Sequence, residues 1–125
     1  MIKERELGKE HLSTAVSYCN IAGVSFDIGN LSEAEDYYNK SRRIREDKLG
    51  TEHPDTATVY HALACIYDRQ GESNKALPLF LSAYRTRRDK LGAENKNTTD
   101  TLGCIKMIFD REAATGLRAL HSRRG

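Results

Sequence analysis

Residues 49–57 read Leu-Gly-Thr-Glu-His-Pro-Asp-Thr-Ala, and residues 7–15 have already read Leu-Gly-Lys-Glu-His-Leu-Ser-Thr-Ala, 42 positions earlier. A third start, Leu91-Gly92, follows at the same spacing. A fixed period between 20 and 50 residues marks a repeat architecture, in which each unit covers its apolar face with its neighbours. Laid over each other without a gap, residues 7–48 and 49–90 share 14 identities in 42 positions, where average residue usage would give about 3. The identities include Leu7/Leu49, Gly8/Gly50, His11/His53, Thr14/Thr56, Tyr18/Tyr60, Ala22/Ala64, Gly29/Gly71 and Ala34/Ala76. They fall where a chain turns and where helices need small or aromatic contact residues.

The second copy shows the local logic. Ala57, Tyr60, Leu63, Ala64 and Tyr67 recur at steps of three and four, so they share one face of an amphipathic helix. Pro54 suits its first turn, where a missing N–H costs nothing, and Asp55 sets a negative charge at the positive end of the macrodipole. Gly71 is placed to end this helix in a left-handed cap, with Ser73 or Asn74 to cap the next. A second stripe runs through Ala76, Leu79, Phe80, Ala83 and Arg87 and closes at Leu91-Gly92. Pro78 falls early in that helix, where its lost hydrogen bond is cheap. Copy one reads the same way, with Tyr18, Ile21, Ala22 and Ser25 in its first helix and Ala34, Tyr37, Tyr38 and Ser41 in its second. Each unit is therefore a helical hairpin. Copy three begins in register with Leu102, Ile105 and Phe109, has Lys106 in place of the small Ala, and fades after Arg111. Residues 112–125 are expected to form a short helix from Leu117 to His121 or to lack order.

Tyr60-x2-Leu63-Ala64-x2-Tyr67 followed by Ala76-x3-Phe80 resembles the tetratricopeptide repeat pattern, W-x2-L-G-x2-Y with a later A-x3-F. The 42-residue period and the Leu-Gly-x-Glu-His-Pro-Asp-Thr-Ala linker resemble the longer variety found in kinesin light chains and in repeat arrays attached to nucleotide-binding sensor proteins. The resemblance covers residues 2 to about 111. It implies an all-α, right-handed α-solenoid of antiparallel helical hairpins. The expected organisation is one domain over 1–125. Residues 2–8 are the tail of a preceding second helix, since Ile2 to Gly8 stands one period before Ile44 to Gly50. Residues 9–50 are the first repeat, 51–92 the second, and 93–125 a partial third or a capping helix. On this reading the chain is an excerpt from, or a shortened relative of, a longer array.

Composition narrows the function classes. The chain has 125 residues, one modest domain, with 30% charged residues, no Trp and a net charge of +2. That charge is far below what a dedicated nucleic-acid binder carries. No run approaches the roughly 20 apolar residues of a membrane span, and the N-terminus Met-Ile-Lys-Glu-Arg-Glu lacks a signal-peptide core. Cys19, Cys65 and Cys104 are odd in number and contain no C-x-x-C pair, so reduced thiols and a cytoplasmic location are the expectation.

The tetratricopeptide resemblance further implies that first helices line a concave groove, which receives a peptide or helix of a protein partner. The groove positions are Val16, Cys19, Asn20, Gly23, Phe26 and Asp27 in copy one. In copy two they are Thr58, His61, Ala62, Cys65, Asp68 and Arg69, and in copy three Asp100, Gly103, Cys104, Met107, Asp110 and Arg111. None is required by the packing stripe, which frees them for recognition. Asn20, His61, Asp68, Met107 and Arg111 are the strongest candidates. Repeats that clamp a C-terminal carboxylate carry Lys and Asn here, and only Asn20 matches. Kinesin light chains carry adjacent Asn pairs where this chain has Cys19-Asn20, His61-Ala62 and Gly103-Cys104.

No catalytic motif, small-molecule site or cofactor site is visible. His61 and Cys65, four apart, with Cys19 on the preceding first helix, sketch a metal site but lack the short ligand pairs of structural zinc. Catalysis by His11 or His53 would need a partner nucleophile or base that the repeats do not supply. The expected function is a non-enzymatic interaction scaffold. Two other readings remain: a structural or self-association segment of a larger sensor or adaptor, homo-oligomeric through exposed repeat ends, or a surface for an acidic partner or nucleic acid. The last would use Arg42, Arg43, Arg45, Arg85, Arg87 and Arg88, which recur at equivalent ends of the second helices. Cations in a helix's last turns are also favoured by the dipole alone, by about 0.3–1 kcal/mol each.

Overall fold

The computed structural model describes residues 11–124, with side chains described as far as Gly116. Among the described residues there are five helices: α1 (Leu12–Asp27), α2 (Leu31–Leu49), α3 (Pro54–Arg69), α4 (Ser73–Leu91) and α5 (Lys96–Arg124). Residues 2–8, expected as the tail of a preceding helix, lie outside the described residues.

Each helix packs chiefly on its neighbours in sequence: α1 on α2 and α3 on α4 as hairpins, with α2 on α3 and α4 on α5 joining them. The pairs are antiparallel. In the first hairpin Ser41 Oγ donates to the Ala15 carbonyl at 2.9 Å near one end, and Ser25 Oγ donates to Glu33 Oε2 at 3.1 Å near the other. Between hairpins, Tyr60 donates to Glu46 and Tyr67 donates to Glu35.

The turns obey a finer period than the hairpins. Gly29, Gly50, Gly71 and Gly92 are spaced by 21 residues, and all have left-handed φ, between 79° and 98°. A residue with a side chain rarely adopts this φ, because its Cβ crowds the adjoining peptide, so each position favours Gly and each helix ends. The helix starts repeat as well. His11 Nδ1 accepts from the Ser13 N–H, and His53 Nδ1 accepts from the Asp55 N–H, both at 3.0 Å. Asn95, one period on, accepts from the Asn97 N–H at 2.9 Å. The recurring histidine is thus an N-cap, replaced by Asn in the third unit. At α4 the structure departs from expectation: the N-cap is Glu72, without a side-chain cap, and Ser73 and Asn74 lie in the first turn. Lys75 instead pairs with Glu72 at 3.1 Å.

The core sits around α3. Ala57, Val59, Leu63, Ala64 and Ile66 are fully buried. One cluster joins Ala64, Ala76, Phe80, Ile105 and Ile108, and a second joins Ala57, Tyr60 and Ala83. Alanines at the hairpin crossings let the backbones approach, while each large apolar side chain withdrawn from water contributes about 1.5–3 kcal/mol. Val59 and Ile66 fell outside the stripe read from the sequence. They are buried because α3 has a helix on each side.

Two expected packing residues are exposed: Ile21 in α1 and Phe109 in α5. Each belongs to a terminal first helix that lacks one of the neighbours α3 has among the described residues. The expected separate helix from Leu117 to His121 is also corrected, because α5 continues unbroken to Arg124. Glu112, Ala113 and Ala114 are compatible with helix, and a single Gly116 costs only about 1 kcal/mol.

Candidate functional site

The first helices α1, α3 and α5 are tied by a contact that repeats with the fold. The Arg69 guanidinium lies 4.9 Å from the centre of the Phe26 ring. One period on, Arg111 forms an ion pair with Asp68. Both join one residue to another 43 positions later, the same step from one first helix to the next. Arg69 and Arg111 are therefore engaged within the molecule, each at an exposed edge where such contacts are individually weak.

The candidate positions divide by their surroundings. Val16, Asn20, Asp27, Thr58, Asp100, Gly103, Met107 and Asp110 are exposed. Met107 is 66% exposed, which for a long apolar side chain marks available contact surface. Cys19, Gly23, Phe26, Ala62 and Cys104 are half-buried. Gly23 faces the second helix: a Cβ there would stand 3.7 Å from the Tyr38 hydroxyl, in ordinary contact. Ser41 gives its hydroxyl proton to the Ala15 carbonyl, so Cys19, with its sulfur 3.1 Å away, donates to Ser41 Oγ.

The expectation that packing requires none of these residues is corrected at His61 and Cys65. His61 stands edge-on to Phe80 with ring centres 5.2 Å apart, and its Nδ1 is 3.1 Å from Thr101 Oγ1. That hydroxyl donates to the Asn97 carbonyl and accepts from Arg87 at 2.8 Å, which leaves Nδ1–H of His61 as a donor. Burial, reinforced by the Arg87 charge, lowers the His61 pKa to about 4, against a smaller opposing pull from Asp100. Cys65 packs against the main core cluster, and burial pushes its thiol up to about 11. Burial also raises the Cys104 thiol. Both remain protonated and poorly nucleophilic at neutral pH. His61 and Cys19 each have a partner inside the protein, and among the described residues no group of three or more His, Cys, Asp or Glu is arranged to hold a metal.

The arginine edge is corrected too. Arg45 and Arg87, equivalent by the repeat, are buried. Arg45 donates to the Asp55 carbonyl at 2.7 Å and Arg87 to the Asn97 carbonyl at 3.3 Å, each ten residues further on. Each ties the end of a second helix to the start of the next first helix. Arg42 pairs with Glu46 and lies over Tyr60, and Arg88 pairs with Asp89 and lies over Tyr84. Of the six arginines, Arg43 and Arg85 are left exposed without such partners among the described residues.

A cleft of about 270 Å³ opens between the turn at Thr51-Glu52 and Ser82, Arg85, Thr86, Asp89 and Lys90 of α4. Its charges are mixed, two cations facing two carboxylates, so it selects no ligand sign. No sequence signal marked it, because it arises only where a turn lies beside the following second helix. Among the described residues, no helix is long and apolar enough to cross a membrane.

Comparison with known proteins agrees with this geometry. No curated protein matches the chain. The family model for the tetratricopeptide repeat matches residues 13–89, which span α1 through nearly all of α4. With more than half its length matched, and its helices stacked as successive hairpins, the chain belongs to the tetratricopeptide repeat family.

Proposed function

We propose that this chain is a non-enzymatic protein-interaction module whose first helices present one recognition face to a peptide or helix of a protein partner. Tetratricopeptide domains are in general protein–protein interaction modules, and the finer reading rests on one observation. Packing of successive helices orders the three first helices, the contacts of Phe26 with Arg69 and Asp68 with Arg111 recur along them at one step, and Asn20, Asp27, Met107 and Asp110 stay exposed. A surface pre-ordered by its own contacts loses little entropy on binding, so a few side chains can carry the affinity. Within it, Asp68, Arg69 and Arg111 shape the floor and edge, and Asn20, Asp27, Met107 and Asp110 are the free groups. His61, Cys19, Gly23 and Cys65 act as supports from below. The division into repeats at 9–50 and 51–92, with a partial unit from 93, belongs to this reading, as does a cytoplasmic setting of the kinesin-light-chain-like kind.

The test is selection from a displayed random peptide library, followed by fluorescence polarisation with the winning peptide. Joint substitution of Asn20 and Met107 by Ala is expected to weaken binding at least about tenfold, the loss of roughly 1.4 kcal/mol. Unchanged affinity in that variant, with Arg43→Glu or Arg85→Glu abolishing binding instead, would overturn the groove and favour the arginine edge.

A further inference from the structure

The repeat makes it possible to ask what is missing from each helix. Val59, Leu63 and Ile66 of α3 are completely buried, and Tyr60 and Tyr67, three before and four after Leu63, donate to Glu46 and Glu35 of the preceding unit's second helix. The equivalent residues of α5, Thr101, Ile105 and Ile108, are 0%, 5% and 1% exposed beneath α4. In α1 the same places are held by Ser17, Ile21 and Val24, and there Ile21 is 43% and Val24 62% exposed, with Ile28 beyond them at 74%. An apolar helix face that is twice covered by a second helix is bare at its third occurrence.

The last segment of α5 carries the sequence pattern of a covering helix. In α2 the buried residues Ala34, Ser41 and Arg45, with half-buried Tyr38, follow the spacing Ala-x3-Tyr-x2-Ser-x3-Arg. In α4 the buried Ala76, Phe80, Ala83 and Arg87 repeat it as Ala-x3-Phe-x2-Ala-x3-Arg. Residues 113–124 read Ala113-x3-Leu117-x2-Leu120-x3-Arg124, the same spacing with the same first and last residue. Here no turn precedes the segment. α5 runs straight through Gly116 for 29 residues, against 16 for α1 and α3, about 43 Å against about 24 Å. A continuous helix cannot fold back on itself as the second helix of a hairpin does, and residues 112–116 are exposed. It departs from its models in having Leu120 where they have Ser41 and Ala83. Those small residues serve the close crossing within a hairpin, as the Ser41 bond to Ala15 illustrates.

We propose that the α1 face formed by Ile21, Val24 and Ile28 docks residues 113–124 of a second copy of this chain, head to tail, as α2 docks on α3. The interface continues one the fold already uses twice. Arg124 then stands in the register of Arg45 and Arg87, which bond the first turn of the helix they cover, and Ser13 is the equivalent of Asp55 in α1. The contact joins unlike ends of the two copies, so each copy has one socket and one plug.

Because socket and plug are separate, they can be broken separately and recombined in the full-length chain. Mass is measured by sedimentation velocity across the micromolar range, with helix content checked by circular dichroism. The natural chain is expected to exceed the mass of one copy as concentration rises. Val24→Glu alone and Leu120→Glu alone are each expected to stay at one copy, and an equal mixture is expected to form a dimer, since the first variant keeps its plug and the second its socket. A natural chain that stays at one copy throughout overturns the proposal. So does association that survives Leu120→Glu, which would mean that the α1 face pairs with its own counterpart. A mixture that fails to associate overturns it as well.

Discussion

The helices α1 and α3 have equal length, occupy equivalent places in successive units and share Thr, Ala, Tyr and Ala at four of their positions. Their fates differ. Leu63 and Ile66 are wholly buried in α3, while Ile21 and Val24 are largely open in α1. The hairpins differ in kind as well. The second is closed by Leu79, Phe80 and Ala83. The first places Tyr37, Tyr38 and Ser41 there, with Tyr18 and Tyr37 tilted together at 5.8 Å and Lys40 above both rings. A repeat unit is therefore not a unit of stability. The same helix is a core when it has a helix on each side and a half-covered surface when, among the described residues, it packs chiefly on one.

The sharpest way to break this comparison is to remove matched side chains. Leu63→Ala is expected to cost about 2–5 kcal/mol, and Ile21→Ala well under half as much, measured as shifts in urea midpoint. Equal losses would mean that α1 is as enclosed as α3.

The next effect lies at His61 and depends on pH. Its folded pKa of about 4 lies below the ordinary value of 6.5. The unfolded chain therefore takes up a proton that the folded chain refuses. The resulting stability is fully present above pH 6.5 and drains away as the pH falls toward 4, by up to about 3 kcal/mol. The difference in urea stability between pH 7 and pH 4.5 should shrink in His61→Gln. If it does not, the imidazole is not held neutral by its burial beside Arg87.

Smaller again are the N-caps. His53→Ala is expected to cost about 1 kcal/mol, whereas His53→Asn, which copies the third unit, should fall within about 0.5 kcal/mol of the natural chain. A large loss with Asn would show that the imidazole does more than accept from Asp55. The smallest change is Asp68→Ala, which removes the exposed pair with Arg111. About 0.2–1 kcal/mol is expected, fading as salt rises. A larger, salt-independent loss would mean that the first helices rely on this tie far more than its exposure allows.

Much of the fold was legible beforehand, and particular residues show why. The 42-residue echo placed the turn glycines, the paired histidines and the small Ala contacts, because all of these answer to backbone geometry within a few residues. The site was less legible. Arg45 and Arg42 sit three apart with similar surroundings in sequence, yet one is buried against the Asp55 carbonyl and the other lies half-exposed over Tyr60. An arginine's long apolar stem allows either outcome. His61 looked like a groove residue because it lies off the hairpin stripe. It is packed because Arg87 of its own hairpin and Thr101 of the next unit reach it from 26 and 40 positions away in the chain.

What the amino-acid order determined by itself is the set of helices, their hairpin pairing and the spacing of their turns, since these depend on local torsion preferences and on periodicities of a few residues. Tertiary structure alone decided which face of each helix is spent on packing and which remains available. That choice depends on how many neighbours a helix has, and neighbours are brought together by stacking across whole units, where no local pattern reaches.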